Sequence, residues 1–216
     1  MRFADLSPYA YYAFPLPMRN IGWLGRPDDD PSAFGRAPLS AAELARLHGA
    51  SRFPASVMLG KHQCEWCPGP NPPEGTGEFH YYATDGAVYS APVLMLHYAE
   101  AHGYRPPCMG VLPEPGALPW DGRAERLAAV LVDDALDVDL RGLAIADLRN
   151  WRDPRVVDAL LRAAADPELA DCAGDEIGYA LAELGPAGPL PDLPEFVRWA
   201  LDSALERRKA APEGGL

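Results

Sequence analysis

The strongest chemical signal in this chain is the run Cys64-Glu65-Trp66-Cys67-Pro68-Gly69. A Cys-x2-Cys followed by Pro-Gly has the form of a zinc knuckle, a tight turn that points two thiolates at one centre. His97 and His102 extend it to Cys-x2-Cys-x29-His-x4-His. Two thiolates and two imidazoles suit tetrahedral Zn(II) and leave no position for water, so the expected metal is structural and not catalytic. His62, two residues before the knuckle, is one alternative for a single wrong ligand; His80 and Cys108 are the others. The plainer alternative makes the cysteines core thiols and the histidines hydrogen-bonded surface groups.

Helix geometry constrains the histidine pair. Residues five apart lie about 500° around an ideal α-helix, roughly 140° off a common direction. They can share an ion only if the last turn loosens, which Gly103 directly after His102 permits.

Other chemistries fail on spacing. A thioredoxin-type Cys-x-x-Cys opens a helix, whereas Pro68, Pro70, Pro72 and Pro73 follow this one. His97-Tyr98-Ala99-Glu100-Ala101-His102 is one residue too long for a zincin, which needs its histidines at i and i+4. Gly60, Gly69, Gly75 and Gly77 form neither a P-loop nor a dinucleotide fingerprint. Asp28-Asp29-Asp30, flanked by prolines, reads as a solvated turn. Tyr9, Tyr11, Tyr12, Phe14 and Trp23 read as small-domain core.

The elements that must hold the ligands alternate in type. Asn20–Leu24 reads as a short strand, and Ser40-Ala41-Ala42-Glu43 is a capping box for a helix to His48 closed by Gly49. Ser56–Leu59 reads as a strand leading into the cysteines. Glu78–Ala83 and Ala87–Ser90, joined by Thr84-Asp85-Gly86, form a hairpin. Pro92 stands at a first helical position, and Val93–Ala101 carries the helix on to Gly103.

Beyond residue 120 the pattern is helix after helix: Asp121–Asp134, Asp139–Asn150, Asp153–Ala165, Asp171–Leu184 and Asp192–Lys209. Ala144-Ile145-Ala146-Asp147-Leu148 returns as Ala180-Leu181-Ala182-Glu183-Leu184, which is the pattern of short HEAT-like repeats. The expected fold is therefore α+β: a treble-clef-like zinc module over 1–107, a Pro-rich connector over 108–120, and an all-α HEAT-like domain over 121–210.

Composition bears on partners. The chain of 216 residues carries 19 Lys and Arg against 31 Asp and Glu, a net charge of −12. Residues 124–216 hold 10 basic and 19 acidic residues, a net of −9. Such a chain lacks the basic footprint needed to grip a phosphate backbone, and it is fitted to a basic protein. Nucleic acid is not expected as a partner. No apolar run is long enough for a membrane helix, and the amino terminus, interrupted by Asp5, does not read as a cleavable leader. Four unevenly placed cysteines do not make a secreted disulfide scaffold. The expected location is the cytoplasm.

Leu6-Ser7-Pro8-Tyr9, Asn20–Leu24, His62-x-Cys64-x2-Cys67, Val88-Tyr89-x-Ala91-Pro92 and His97-Tyr98-x3-His102-Gly103-Tyr104-Arg105-Pro106-Pro107 occur here in that order. Residues 1–107 in this respect resemble a family of uncharacterised bacterial proteins, which implies no activity. The helical half is similar, in fold and charge, to small acidic immunity proteins of bacterial toxin systems. By that analogy the chain is a non-catalytic binding protein, an immunity or antitoxin-like factor covering a basic partner. Asp133, Asp134, Asp137 and Asp139 are the candidate contact residues. The competing expectation is an enzyme, or an enzyme's accessory subunit, with His62, His80 and Tyr81 as its nearest candidates.

Overall fold

A computed structural model of the chain describes residues 2–26, 38–57, 60–185 and 188–210. The Asp28-Asp29-Asp30 turn and the end of the expected 56–59 strand lie outside the described residues. The chain divides into two compact units, Met1–Leu118 and Pro119–Leu216.

The first unit is α+β. Its main sheet joins β1 (Arg19–Asn20), β4 (Glu78–Tyr82) and β5 (Val88–Pro92) in the order β1-β5-β4; β2 (His62–Gln63) and β3 (Glu74–Gly75) form a separate ribbon. The β4–β5 hairpin is antiparallel, pairing Tyr81 with Tyr89 and His80 with Ser90, while β1 runs parallel to β5. The Asp-Gly turn forms as its chemistry requires: Gly86 has φ 90° and Asp85 accepts the Ala87 N–H at 3.0 Å. Alternation along the strands sends Phe79, Tyr81 and Ala83, with Tyr89 and Ala91, into a core shared with Ile21, Leu47 and Met95. The opposite face buries Glu78, His80 and Ser90. There Glu78 accepts hydrogen bonds from Tyr9 Oη at 3.0 Å and from Ser90 Oγ, and Phe14 meets the His80 ring edge-on.

Several elements differ from expectation. The 20–24 strand shrinks to Arg19–Asn20 because the chain turns at Gly22, whose φ is 69°. Ser56 contributes only an isolated bridge to Glu78. Helix α1 keeps its Ser40/Glu43 capping box but runs Ala41–Ala50, so Gly49 lies inside it and not at its end; a Cβ there would come within 2.4 Å of Pro115. Pro92 ends β5 instead of opening a helix. Its missing N–H falls past the two-residue β1, where no ladder bond is lost. Helix α2 spans Met95–His102. The stretch expected to begin a connector packs into this unit: Pro107–Gly110 form a 3-10 turn, and Cys108, Met109 and Leu112 join the core.

The second unit is all helical in its described residues: α3 (Gly122–Leu131), α4 (Val138–Leu148), α5 (Pro154–Ala164), α6 (Pro167–Leu184) and α7 (Glu195–Ala210). Asp121, Asp137, Asp153 and Asp166 each accept backbone N–H groups as N-caps of the first four. Helix α6 starts a turn earlier than expected because Asp166-Pro167 caps it as Asp153-Pro154 caps α5, and it breaks at Ala173 (φ −135°, ψ 24°). Arg141, almost wholly buried, donates to the Leu131 carbonyl at 3.2 Å and to Asp166 at 2.5 Å, tying α4 to the start of α6. Gly178 lets α6 meet α7 at close range, since a Cβ there would lie 2.6 Å from the Val197 carbonyl oxygen. Among the described residues no helix is long and apolar enough to cross a membrane.

Candidate metal centre

Both cysteines sit in the loop of a small ribbon. Strands β2 (His62–Gln63) and β3 (Glu74–Gly75) pair antiparallel, His62 opposite Gly75 and Gln63 opposite Glu74. The Cys64 N–H donates to the Pro73 carbonyl at 2.8 Å and closes the neck of the loop. Lys61 and Gln63 both donate to Glu74 across the ribbon's outer edge. Inside the loop the N–H groups of Trp66 and Cys67 turn onto the Cys64 sulfur, the arrangement that defines a knuckle. Trp66 anchors the loop by donating its indole N–H to the Gly25 carbonyl at 2.8 Å.

Helix α2 brings the histidines. Its end is widened: the Gly103 N–H, with Gly103 at φ 67°, donates to the Tyr98 carbonyl five residues back, in place of the four of a regular turn. The Tyr104 N–H reaches the same carbonyl at 3.0 Å. This wider turn moves His102 toward the direction of His97. The two Nε2 atoms stand 3.2 Å apart.

The four donors converge. Cys64 Sγ lies 3.2 Å from His102 Nε2, and Cys67 Sγ lies 3.4 Å from His97 Nε2 and 3.5 Å from His102 Nε2. All four ligand atoms fall within 4.8 Å of one another. A tetrahedron with metal–sulfur bonds of about 2.3 Å and metal–nitrogen bonds of about 2.0–2.1 Å has edges of about 3.5 Å (S···N) and about 3.3 Å (N···N). The separations match those edges. Cys64, Cys67, His97 and His102 thus lie close together in an arrangement that could hold a metal ion.

Without a cation the electrostatics favour neutral donors. Burial pushes the Cys64 thiol up, with Cys67 adding to it against the amide N–H bonds from Trp66 and Cys67. Burial, then the neighbouring His97, holds His102 below the ordinary imidazole value and keeps its lone pair available. A bound cation reverses the thiol's preference and makes the thiolate the stable form.

The alternative ligands point elsewhere. His62 Nε2 meets the Tyr98 hydroxyl at 3.0 Å, and its ring lies edge-on to Trp23. His80 is on the far face of the main sheet beside Glu78, and Cys108 is in the core, where burial raises its thiol to about 12. Tyr81 is buried on the face opposite His80 and shares a 2.8 Å hydrogen bond with Ser51. His62, His80 and Tyr81 do not converge on one site. Asp133, Asp134, Asp137 and Asp139 are all exposed. Asp137 caps α4, and Asp133 accepts the Ala135 N–H at 3.1 Å. Sequence reasoning missed Tyr98, which packs beside both histidine rings and bonds His62; its place next to His97 was the available signal.

An α+β unit that gathers two cysteines and two histidines from a knuckle ribbon and a helix end is a candidate metal-binding domain. Residues 1–109 match a family described as a domain of unknown function (DUF7919), and the chain belongs to that family. No curated protein and no solved structure matches the chain. The matched stretch contains all four clustered residues and ends inside the first unit.

Proposed function

We propose that this is a non-catalytic, protein-binding protein of the cytoplasm: its first unit is held together by one structural Zn(II), and its acidic helical unit covers a basic partner. The observation that carries the metal assignment is that three of the four S···N separations and the N···N separation lie near the edges of one tetrahedron, with all four ligand atoms within 4.8 Å of one another. Two sulfurs and two nitrogens favour zinc over the hard cations that prefer oxygen. Four protein ligands close the shell, so the ion would supply cross-linking and not an activated water. The ribbon needs such a cross-link, because two residue pairs do not hold a two-stranded sheet in water.

The binder reading rests on charge and on the packing of the second unit. Helix α3 packs on α4 and α5, α4 on α6, α5 on α6, and α7 on α6; the first four helices neighbour one another as two stacked hairpins would, which supports the HEAT-like reading. A net charge of −9 over residues 124–216 steers cationic partners and accelerates encounter at low salt. An immunity-like role, neutralising a basic toxin or enzyme, is the specific form of this proposal.

Elemental analysis of protein purified without added metal tests the first half. About one zinc per chain, with Co(II) giving the visible spectrum of a tetrahedral two-thiolate site, supports it. A water-exchangeable position on the cobalt would move the reading to a metal enzyme. Metal-free protein that melts unchanged would refute it.

A further inference from the structure

The second unit contains five aromatic residues: Trp120, Trp151, Tyr179, Phe196 and Trp199. Three of them are covered by the unit's own arginines. Arg155 lies over Trp120 at 4.3 Å, Arg207 over Tyr179 at 5.2 Å and Arg123 over Trp151 at 5.9 Å. Phe196 and Trp199, one turn apart on α7, stack on each other instead, with centroids 5.6 Å apart and planes 8° apart. Among the described residues no cation covers either ring, and they remain 46% and 54% exposed. Isolated exposed apolar residues are ordinary, whereas contiguous exposed apolar surface is where interaction sites are found, and here only Phe196 of the stacked pair lines a groove.

The groove is present. Phe196 forms one wall of a cleft of about 640 Å³ with an apolar lining that includes Leu161, Ala170 and Leu193. The residues that α6 contributes to it all precede the break at Ala173. Its charged lining residues are Asp171 and Asp192, and no lysine or arginine lines it. Glu168, Glu195 and Arg162 are exposed and adjoin it in sequence, and Arg198 donates to the Pro191 carbonyl at its edge at 3.2 Å, so the acidic residues at and beside the cleft outnumber the basic ones four to two.

We propose that this cleft and the Phe196–Trp199 face dock an amphipathic, arginine-bearing segment of a partner protein. Its aliphatic side chains enter the groove, its guanidinium groups pair with Asp171 and Asp192, and one of them stacks on Trp199 as Arg155 does on Trp120. Arginine fits better than lysine because a planar guanidinium both stacks on a ring and forks onto a carboxylate. The occupant follows from charge complementarity and from the unit's own treatment of its other aromatic rings. The proposal rests on the helical unit binding a basic protein. It moves the centre of that interface from Asp133–Asp139 to the start of α7.

The test uses the full chain and a fluorescent synthetic helical peptide of leucine and arginine, followed by anisotropy at low and high salt. Companion peptides carry lysine or glutamate in place of arginine. The expected result is arginine-peptide binding that weakens with salt, several-fold weaker lysine-peptide binding, and none with glutamate. Trp199→Ala and the pair Asp171→Asn/Asp192→Asn should each weaken binding about tenfold with helical circular dichroism unchanged. Asp133→Asn/Asp134→Asn should bind as wild type. If affinity follows Asp133 and Asp134 and ignores the groove, this surface is wrong while the basic-partner reading stands. If no cationic peptide binds, both fail. Equal binding of the glutamate peptide overturns the charge argument, and equal binding of the lysine peptide overturns the stacking argument. Self-association by sedimentation that Trp199→Ala abolishes would assign the face to a second copy and overturn the proposal.

Discussion

Adding one methyl group at Gly178 should destabilise the helical unit, while the same change at Gly142 should stabilise it. Both glycines lie inside helices, where alanine is favoured by up to about 1 kcal/mol. Their surroundings differ. A Cβ at Gly142 would meet Ala173 Cβ at 4.0 Å, an ordinary contact, so the full propensity gain should appear. A Cβ at Gly178 would stand 2.6 Å from Ala200 Cβ, 2.6 Å from the Val197 carbonyl oxygen and 2.8 Å from the Leu201 nitrogen. Two of these atoms are backbone and cannot rotate away. Reaching an ordinary 3.4 Å contact needs α7 to move by about 0.8 Å. Such overpacking costs roughly 1–3 kcal/mol. After the gain in propensity, a net loss of up to about 2 kcal/mol remains. For a unit near 100 residues that is a fall in melting temperature of up to about 15 °C, against a rise of a few degrees for Gly142→Ala. Urea denaturation followed by far-ultraviolet circular dichroism reads both variants, and an unchanged slope confirms that only stability moved. A Gly178→Ala variant as stable as Gly142→Ala would refute the close crossing of α6 and α7. That crossing also holds Phe196 and Trp199 in place, so peptide binding should fall with it.

Chelation of the metal should lower the melting of the first unit and leave the helical unit's transition unmoved, with each tenfold change in buffered free zinc worth about 1.4 kcal/mol; differential scanning calorimetry separates the transitions. Cys64→Ser and His102→Gln should each fall well below one zinc per chain in elemental analysis, whereas His62→Gln and Cys108→Ala should keep it. Arg141→Ala should cost about 1–3 kcal/mol in urea denaturation, because it leaves the Leu131 carbonyl without this donor and Asp166 without its cation. The acid limb should be steep. Arg155 and its own backbone N–H hold Asp153 down to about 2, and Arg141 lowers Asp166. A carboxylate depressed on folding stabilises above its unfolded value near 3.8 and loses that contribution as pH falls toward 2. Helical stability should therefore drop between about pH 4 and pH 2, and Asp153→Asn should flatten the drop.

Much of the candidate site was legible in the residues alone. The Cys-Glu-Trp-Cys-Pro-Gly turn, the Ser40/Glu43 capping box, the Asp-Gly hairpin turn and the αL position of Gly103 are local: each is decided within a few residues by backbone sterics and side-chain oxygens. The five-residue histidine spacing even carried its own condition, a loosened helix end, because the angular step per residue is fixed. The α+β character and the acidic helical half followed from the same short-range signals and from composition.

Other features had no local cause. The β2–β3 ribbon is two residue pairs amid prolines, held by the closure of Cys64 onto Pro73 and invisible to any periodicity. Pro92 carries a helix-opening signal yet ends a strand, since the alignment with Glu78 across the hairpin outweighs it. Residues 108–120 read as connector from their prolines, but Cys108, Met109 and Leu112 complete a core whose other members lie up to about ninety residues away. Which histidines share the centre depended on faces: His80 is on the far side of the main sheet, and His62 turns to Tyr98. The sequence by itself determined the Ser40, Asp121 and Asp153 helix starts, the Asp-Gly turn, the helix count and the knuckle, because these depend on neighbours within a turn or two. Only the tertiary structure decided which donors converge, which face of each strand is buried and where the aromatic pair of α7 stands open, because those depend on contacts between residues far apart in the chain.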